Sequence, residues 1–490
     1  MKTNRLLSRI PDQYWSNGSL LLWAAIGLLL MRHDSYGLTE GAAKAILLTW
    51  SIADQVASSV VTFGTPDMRA LLFLPTGFLW TGNAFVAKVL TLILLAIAAR
   101  ALYLLGKEMF TAESALLATG LLLIAPITLS QIDSLATGPY LLIAFALGVQ
   151  ADKAYRAAPR SFNGWYFAQL LICAFSVSLH PAGLAYPIAL LWSWRTEPLD
   201  SKQQKYFLIG ISFTVLLMLI IRMGWAGQSW LHNPLYSLGS ILIPDTALSD
   251  NKSTSTLLAG ILVLITLVIT VIKQFSALRT HMIGRIMLTA LVLGILVGDN
   301  TWSLLALTVI LYFGFPVLLR SKLPRPSGGF MTQRGWTLFS VLILSTLFMQ
   351  ADKLLYSINH NRMLSTEDQL IRTLVDEAEK YRQASELAEN KGEKIGHFRV
   401  ASQWPARTMI ACKCDTLPLP PAATDPAAQL KMLHGISYLL LDPKETENLA
   451  LARNLSLLGN LAETVSLQPG GVLLHLSSED SIAQSNTQKN

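Results

Sequence analysis

Charge is what this chain has least of. Only 14% of its 490 residues are Asp, Glu, Lys or Arg, against about a quarter in an ordinary soluble domain. Repeated apolar runs of about 15–20 residues take the place of the missing charges. That length crosses a bilayer, so a soluble enzyme is excluded. Acids are scarcer than bases, 31 against 38, and the net charge is +7. In a soluble chain that excess would suggest nucleic acid. Among apolar runs Lys and Arg serve topology instead, and no nucleic-acid partner is expected. Cysteine is nearly absent. Cys173 lies inside an apolar run, and Cys412 and Cys414 form a lone CxC. The second ligand pair of a structural zinc site is missing. A local disulfide and two thiols both fit this spacing. No internal repeat is visible, and the apolar runs hold almost no acids, which tells against a transporter or flippase.

What is there is a series of apolar segments. Spans are predicted at about 17–31, 85–105, 112–128, 138–151, 165–179, 182–194, 206–222, 254–272, 282–298, 301–319 and 334–351, eleven in all. The stretch 68–80 is too short and interrupted, and reads as lying in the interface. With the N-terminus inside, the basic groups Lys2/Arg5/Arg9, Lys153/Arg156/Arg160, Arg195/Lys202/Lys205, Lys273/Arg279 and Arg320/Lys322/Arg325/Arg334 all fall on the cytoplasmic side. Basic residues precede the first helix and no small-residue cleavage site follows it, so it is expected to stay. Residues 1–351 thus form a membrane module with an outer loop at 32–84 and a second outer segment at 223–253. Residues 352–490 form an outer tail. The tail reads as a small α/β domain. Ser365 or Thr366 caps a helix that Gly392 stops. "ISYLLLD" and "GVLLHLS" read as buried strands, with a helix near 444–459 between them.

The cytoplasmic connections are too short for a catalytic domain, so chemistry is expected outside. "RHDSYGLTEGAAKAILLTW" follows the first span. Glu40 falls in the first turn of an amphipathic helix, where the helix dipole favours a carboxylate able to act as a base. Its plainer role is a pair with Lys44 at i,i+4. Asp34 is the second candidate base, or a solvated helix exit. "GTPDMRALLFLP" adds Asp67 and Arg69. Arg69 suits a phosphate or a snorkelling interfacial position. Asp133 in "SQIDSLATGP" and His180 in "SLHPAGLAYP" lie on the same face. His180 has the alternative of closing a hairpin. Several polar groups among apolar neighbours at one membrane surface suggest a site. No tight ligand cluster argues for a metal. A divalent ion would need Asp34, Glu40 and Asp133 to converge in space.

From about residue 20 to 195 the chain resembles the GT-C membrane glycosyltransferases that use polyprenyl-phosphate sugars. These include the protein mannosyltransferases and the enzyme that moves aminoarabinose onto lipid A. The resemblance rests on "LTEGAAKAIL", "FGTPDMRALLFLP", "ARALYLLGKEMF" and "ESALLATGLLLIAPITLSQ", in that order. Beyond, to about 351, it is one of hydropathy. It implies a polytopic helical GT-C-like membrane protein with an outer α/β domain. It also implies a lipid-linked sugar donor and a lipid, glycan or protein acceptor. An acid of the first outer loop would take the acceptor's proton while the polyprenyl phosphate leaves with inversion. It places the site at the outer face of a membrane, by analogy the bacterial inner membrane. The sequence departs from the pattern at one position. Where the family has an Asp-Glu pair, it reads Thr39-Glu40. Either Glu40 takes the base role, or Asp34 does from upstream, or the enzyme is inactive or altered. A non-catalytic membrane subunit with a docking tail is the remaining alternative.

Overall fold

The computed structural model of the chain describes residues 12–52, 69–79, 84–109, 112–157, 164–196, 205–206, 208–216, 254–297, 301–314, 365–389, 398–423, 426–442, 446–457, 462–468 and 471–476. Asp67, the outer segment 223–253, the run 334–351 and Gly392 lie outside the described residues.

The first apolar run folds as α1 (Asp12–Leu30). A short segment, 31–39, leads into α2 (Glu40–Ile52), which packs against α3 (Arg69–Leu79). Next come α4 (Phe85–Met109), α5 (Ala112–Ile124), α6 (Pro126–Asp133) and α7 (Thr137–Ala157). Pro126 is why one predicted span becomes two helices. It has no N–H to donate and its ring crowds the preceding turn, so the two pieces meet at 45°. α8 (Gly164–Leu179) and α9 (Ala185–Thr196) are joined by a 3-10 turn, Pro181–Leu184. Gly183 sits hard against the Ser176 carbonyl, where no Cβ fits. Residues 208–216 are also helical, and further described helices are α10 (Thr254–Lys273), α11 (Phe275–Thr280), α12 (Met282–Val297) and α13 (Thr301–Val309), which runs into a π turn, Ile310–Gly314.

Among the described residues, α4 is long and apolar enough to cross a membrane alone, and the α5–α6 pair passes the same test only when its two bent pieces are taken together. Shorter apolar helices accompany them. Eleven spans remain the sequence's expectation, because the described helices do not establish that count. The helices turn large apolar side chains outward: Leu21 is 72% exposed, Phe167 57% and Ile272 71%. Each such side chain would lose roughly 1.5–3 kcal/mol facing water rather than an apolar medium. A surface of this kind fits lipid. Inside, hydroxyls join the helices, as between Thr91 and Tyr140, 2.7 Å apart on α4 and α7.

The tail opens with α14 (Thr366–Glu389). Ser365 caps it, accepting the Asp368 N–H at 3.1 Å. It continues through β1 (Arg399–Ser402), α15 (Pro405–Cys412), β2 (Asp415–Pro418), α16 (Pro426–Met432), β3 (Tyr438–Leu441), α17 (Thr446–Leu457), β4 (Ala462–Gln468) and β5 (Gly471–Leu476). The strands form one sheet in the order β2-β1-β3-β5-β4. β1 runs parallel to β2 and β3, while β5 is antiparallel to β3 and β4. Alternate side chains of a strand face opposite ways. Val400, Leu440 and Leu473 therefore meet Leu370, Ile371 and Leu374 of α14. Ala401, Leu439 and Leu441 face the opposite core, with Leu451 and Leu455 of α17. α15 starts on Pro405, a residue suited to a helix's first position. It ends where Cys412 and Cys414 form a disulfide around Lys413, whose φ is 54°. Of the two states the sequence allowed for this pair, the structure has the bonded one.

The two units interlock. Ala406 and Ile410 of α15 are buried in the membrane module's own core, and Tyr36 of segment 31–39 packs against the tail's α14 core.

Candidate functional site

Segment 31–39 is pinned from below by the α6–α7 corner. The Arg32 N–H donates to the Asp133 carboxylate at 2.8 Å, and the Thr39 N–H donates to the Ser134 carbonyl at 3.0 Å. That corner turns through Leu135, a buried residue held at φ 50°. The left-handed region is costly for a leucine, and such strain tends to be kept where a site needs it. The Leu135 carbonyl in turn accepts from the Arg69 guanidinium at 2.5 Å. Arg69 and Asp133, far apart in sequence, thus belong to one cluster around this segment. Both serve the backbone there.

Thr39 occupies the position where the family pattern has an aspartate. Its hydroxyl accepts the Ala42 N–H at 3.2 Å and its carbonyl accepts the Ala43 N–H at 3.0 Å, so it is the N-cap of α2. Threonine performs that task nearly as well as aspartate, and helix entry survives the departure.

Asp34 lies five residues before this cap, on a turn of its own. Its Oδ1 accepts the Tyr36 N–H at 3.2 Å and its Oδ2 meets the Arg32 guanidinium at 2.7 Å. Its side chain is 43% exposed, so the carboxylate is held in place yet reachable. Beneath it lies Lys88, fully buried in the first turn of α4. The Lys88 ammonium donates to the Asp34 carbonyl at 2.9 Å and to that of Tyr36 at 3.5 Å. Sequence reasoning passed over Lys88. The signal was available, since a lone cation inside an apolar run demands a partner.

Glu40 has a different setting. Its Oε1 accepts the Ala406 N–H at 3.1 Å and its Oε2 the Arg407 N–H at 3.2 Å. Both donors are in the first turn of α15, so the carboxylate caps a helix of the tail. Burial pushes the Glu40 pKa up. The two amide donors, Lys44 one turn along and the Arg407 charge pull in the opposite direction, and the net shift is upward from 4.5. The side chain of Arg407 bridges Glu367 at 2.5 Å and Asp368 at 2.9 Å. Asp368 also accepts the Gly37 N–H at 3.0 Å. Gly37 has φ +79°, a conformation glycine adopts without strain.

His180 belongs to another neighbourhood. Its Nδ1 accepts the Ala182 N–H at 3.1 Å, and the turn it caps packs against α12. Among the described residues no three His, Cys, Asp or Glu side chains group as a metal site. Asp34, Glu40 and Asp133 do not form such a set.

The buried Glu40 makes docking of the tail pH-dependent. Undocking returns the carboxyl to water, where its pKa falls back towards 4.5. The docked form therefore binds more protons in the range just above that value. Docking should strengthen as pH falls into this range and weaken as pH rises through the docked pKa. Limited proteolysis of the tail at about pH 5 and about pH 8 reads this. Greater protection at the lower pH is expected, and the difference should shrink in Glu40→Gln. A tail equally protected at both values would refute the linkage.

No sequence-family model and no curated protein sequence matches the chain. Solved structures do. ArnT from Cupriavidus metallidurans bound to undecaprenyl phosphate superposes with a TM-score of 0.53 at 12% identity, covering 95% of this chain and 98% of its own. The apo state of the same enzyme gives 0.51 at 11% identity, covering 94% and 98%. The apo oligosaccharyltransferase of Archaeoglobus fulgidus gives 0.50 at 12% identity, over 95% of this chain and 75% of that one. At such identities the likeness is one of fold. The chain has the fold of the GT-C glycosyltransferases that use polyprenyl-phosphate carriers.

Proposed function

We propose that this protein moves a monosaccharide from a polyprenyl-phosphate carrier to a lipid, glycan or protein acceptor, at the outer face of a bacterial inner membrane. The observation that carries the reading is Asp34: a reachable carboxylate on a pinned turn, at the exit of the first helix of a GT-C fold. Asp34 is the base. It takes the proton of the acceptor's hydroxyl or amine, the acceptor atom bonds to the anomeric carbon, and the bond from that carbon to the phosphate oxygen breaks. The electron pair leaves on the polyprenyl phosphate, and the anomeric centre inverts. Arg32, Arg69 and Lys88 surround the segment with positive charge, which favours an anion as it departs. The bilayer holds the carrier's hydrocarbon chain.

The test is turnover. Purified protein is given a panel of polyprenyl-phosphate sugars and candidate acceptors, and released polyprenyl phosphate is measured. Acceptor-dependent release with an inverted product is expected. A folded protein that releases nothing from any donor would remove the proposal.

A further inference from the structure

We infer that Glu40 positions rather than reacts: through it the outer domain clamps the Asp34 turn, with Arg407 and Asp368 as the other jaw. The inference rests on the reading of Asp34 as the base.

The contacts form a closed circuit. The Gly37 N–H donates to Asp368 Oδ2, and Asp368 Oδ1 receives the Arg407 guanidinium. The Arg407 backbone N–H donates to Glu40, which lies three residues after Gly37 and so completes the loop. Arg407 thus acts twice, by its side chain on one arm and by its amide on the other. Asp368 is itself fixed, because the Ser365 hydroxyl donates to its Oδ2 at 2.9 Å. The membrane module holds the near part of segment 31–39 through Asp133 and Lys88. The tail holds the far part through Gly37 and Glu40. Asp34 lies between these anchors.

A base needs a lone pair that the acceptor can approach. Both oxygens of Glu40 face the first turn of α15, and Ala406 beside them is buried in the membrane module's core. Asp34 has no such cover.

The clamp predicts a graded response at Glu40. Glutamine keeps one acceptor oxygen, and Glu40→Gln should lose about 3- to 10-fold in kcat. Alanine keeps none, and Glu40→Ala should lose on the order of 100-fold, the scale of a small misplacement of a reacting group. Donor KM should stay within about twofold in both, because ground-state binding is untouched. The acid limb of the pH–rate profile should persist in Glu40→Gln, since that substitution leaves the base in place. Hydrogen exchange of segment 31–40 should rise in Glu40→Ala while strands β1 and β3 keep their protection. Glu40→Gln as inactive as Glu40→Ala, with the acid limb gone, would make Glu40 the base and overturn the clamp. Unchanged exchange of segment 31–40 in Glu40→Ala would overturn it as well. Exchange needs no turnover, so it decides the clamp even if the wild-type protein transfers no sugar and the proposed function falls.

Discussion

Asp34→Asn is expected to slow sugar transfer by about 10²- to 10⁴-fold, the usual contribution of a general base, with the fold intact. The substitution separates chemistry from structure unusually well. Asparagine retains a carbonyl oxygen for the Tyr36 N–H and suits the same turn. The ion pair with Arg32 is lost, but that carboxylate is 43% exposed, and exposed pairs contribute only about 0–1 kcal/mol. The amide accepts no proton at working pH, so the acceptor loses its base. Initial rates of polyprenyl phosphate release, taken beside a thermal unfolding curve, make the measurement. An Asp34→Asn protein as fast as wild type would remove Asp34 from the mechanism.

Arg407→Ala is expected to act on stability. The guanidinium is largely buried and stands between Asp368, 4% exposed, and Glu367, 39% exposed. Removing it leaves the Asp368 carboxylate buried and short of its cation, a defect costing about 3–5 kcal/mol. Glu367 adds little, because water reaches it. The stacking of the cation over the Trp404 ring, 5.8 Å from its centroid, goes as well. The cost should fall on the contact between tail and membrane module, so the tail should become protease-sensitive at temperatures where the helices stay folded. Arg407→Lys should be intermediate, since a point charge does not span two carboxylates as the planar fork does. A tail of unchanged resistance in Arg407→Ala would show that the pair contributes nothing.

Both predictions concern contacts that local sequence patterns do not encode. The helices were legible because their signals are local. Apolar runs marked α4, α8 and α12 to within a few residues, and the Ser365 cap marked α14. β3 and β5 were legible as buried apolar strands. β1, β2 and α15 were missed. Each strand has four residues, too few for alternation to show, although Pro405 was a usable start signal for α15. The cluster around segment 31–39 was legible in part. Asp34, Asp133 and Arg69 were picked out as polar groups on one face, and the fold brings them into one network. The setting of Glu40 was not legible, because its donors are backbone amides 366 and 367 residues away. A backbone amide leaves no trace in residue identity.

That separation has a consequence for biogenesis. A ribosome adds about 5–20 residues per second, so roughly 20–70 s pass between synthesis of Glu40 and synthesis of its partner amides. Throughout that interval the segment around Glu40 exists without these contacts, while the later helices are still being made. The segment that carries Asp34 is made among the first, and its contacts are complete only after residues 406 and 407 have been made and folded.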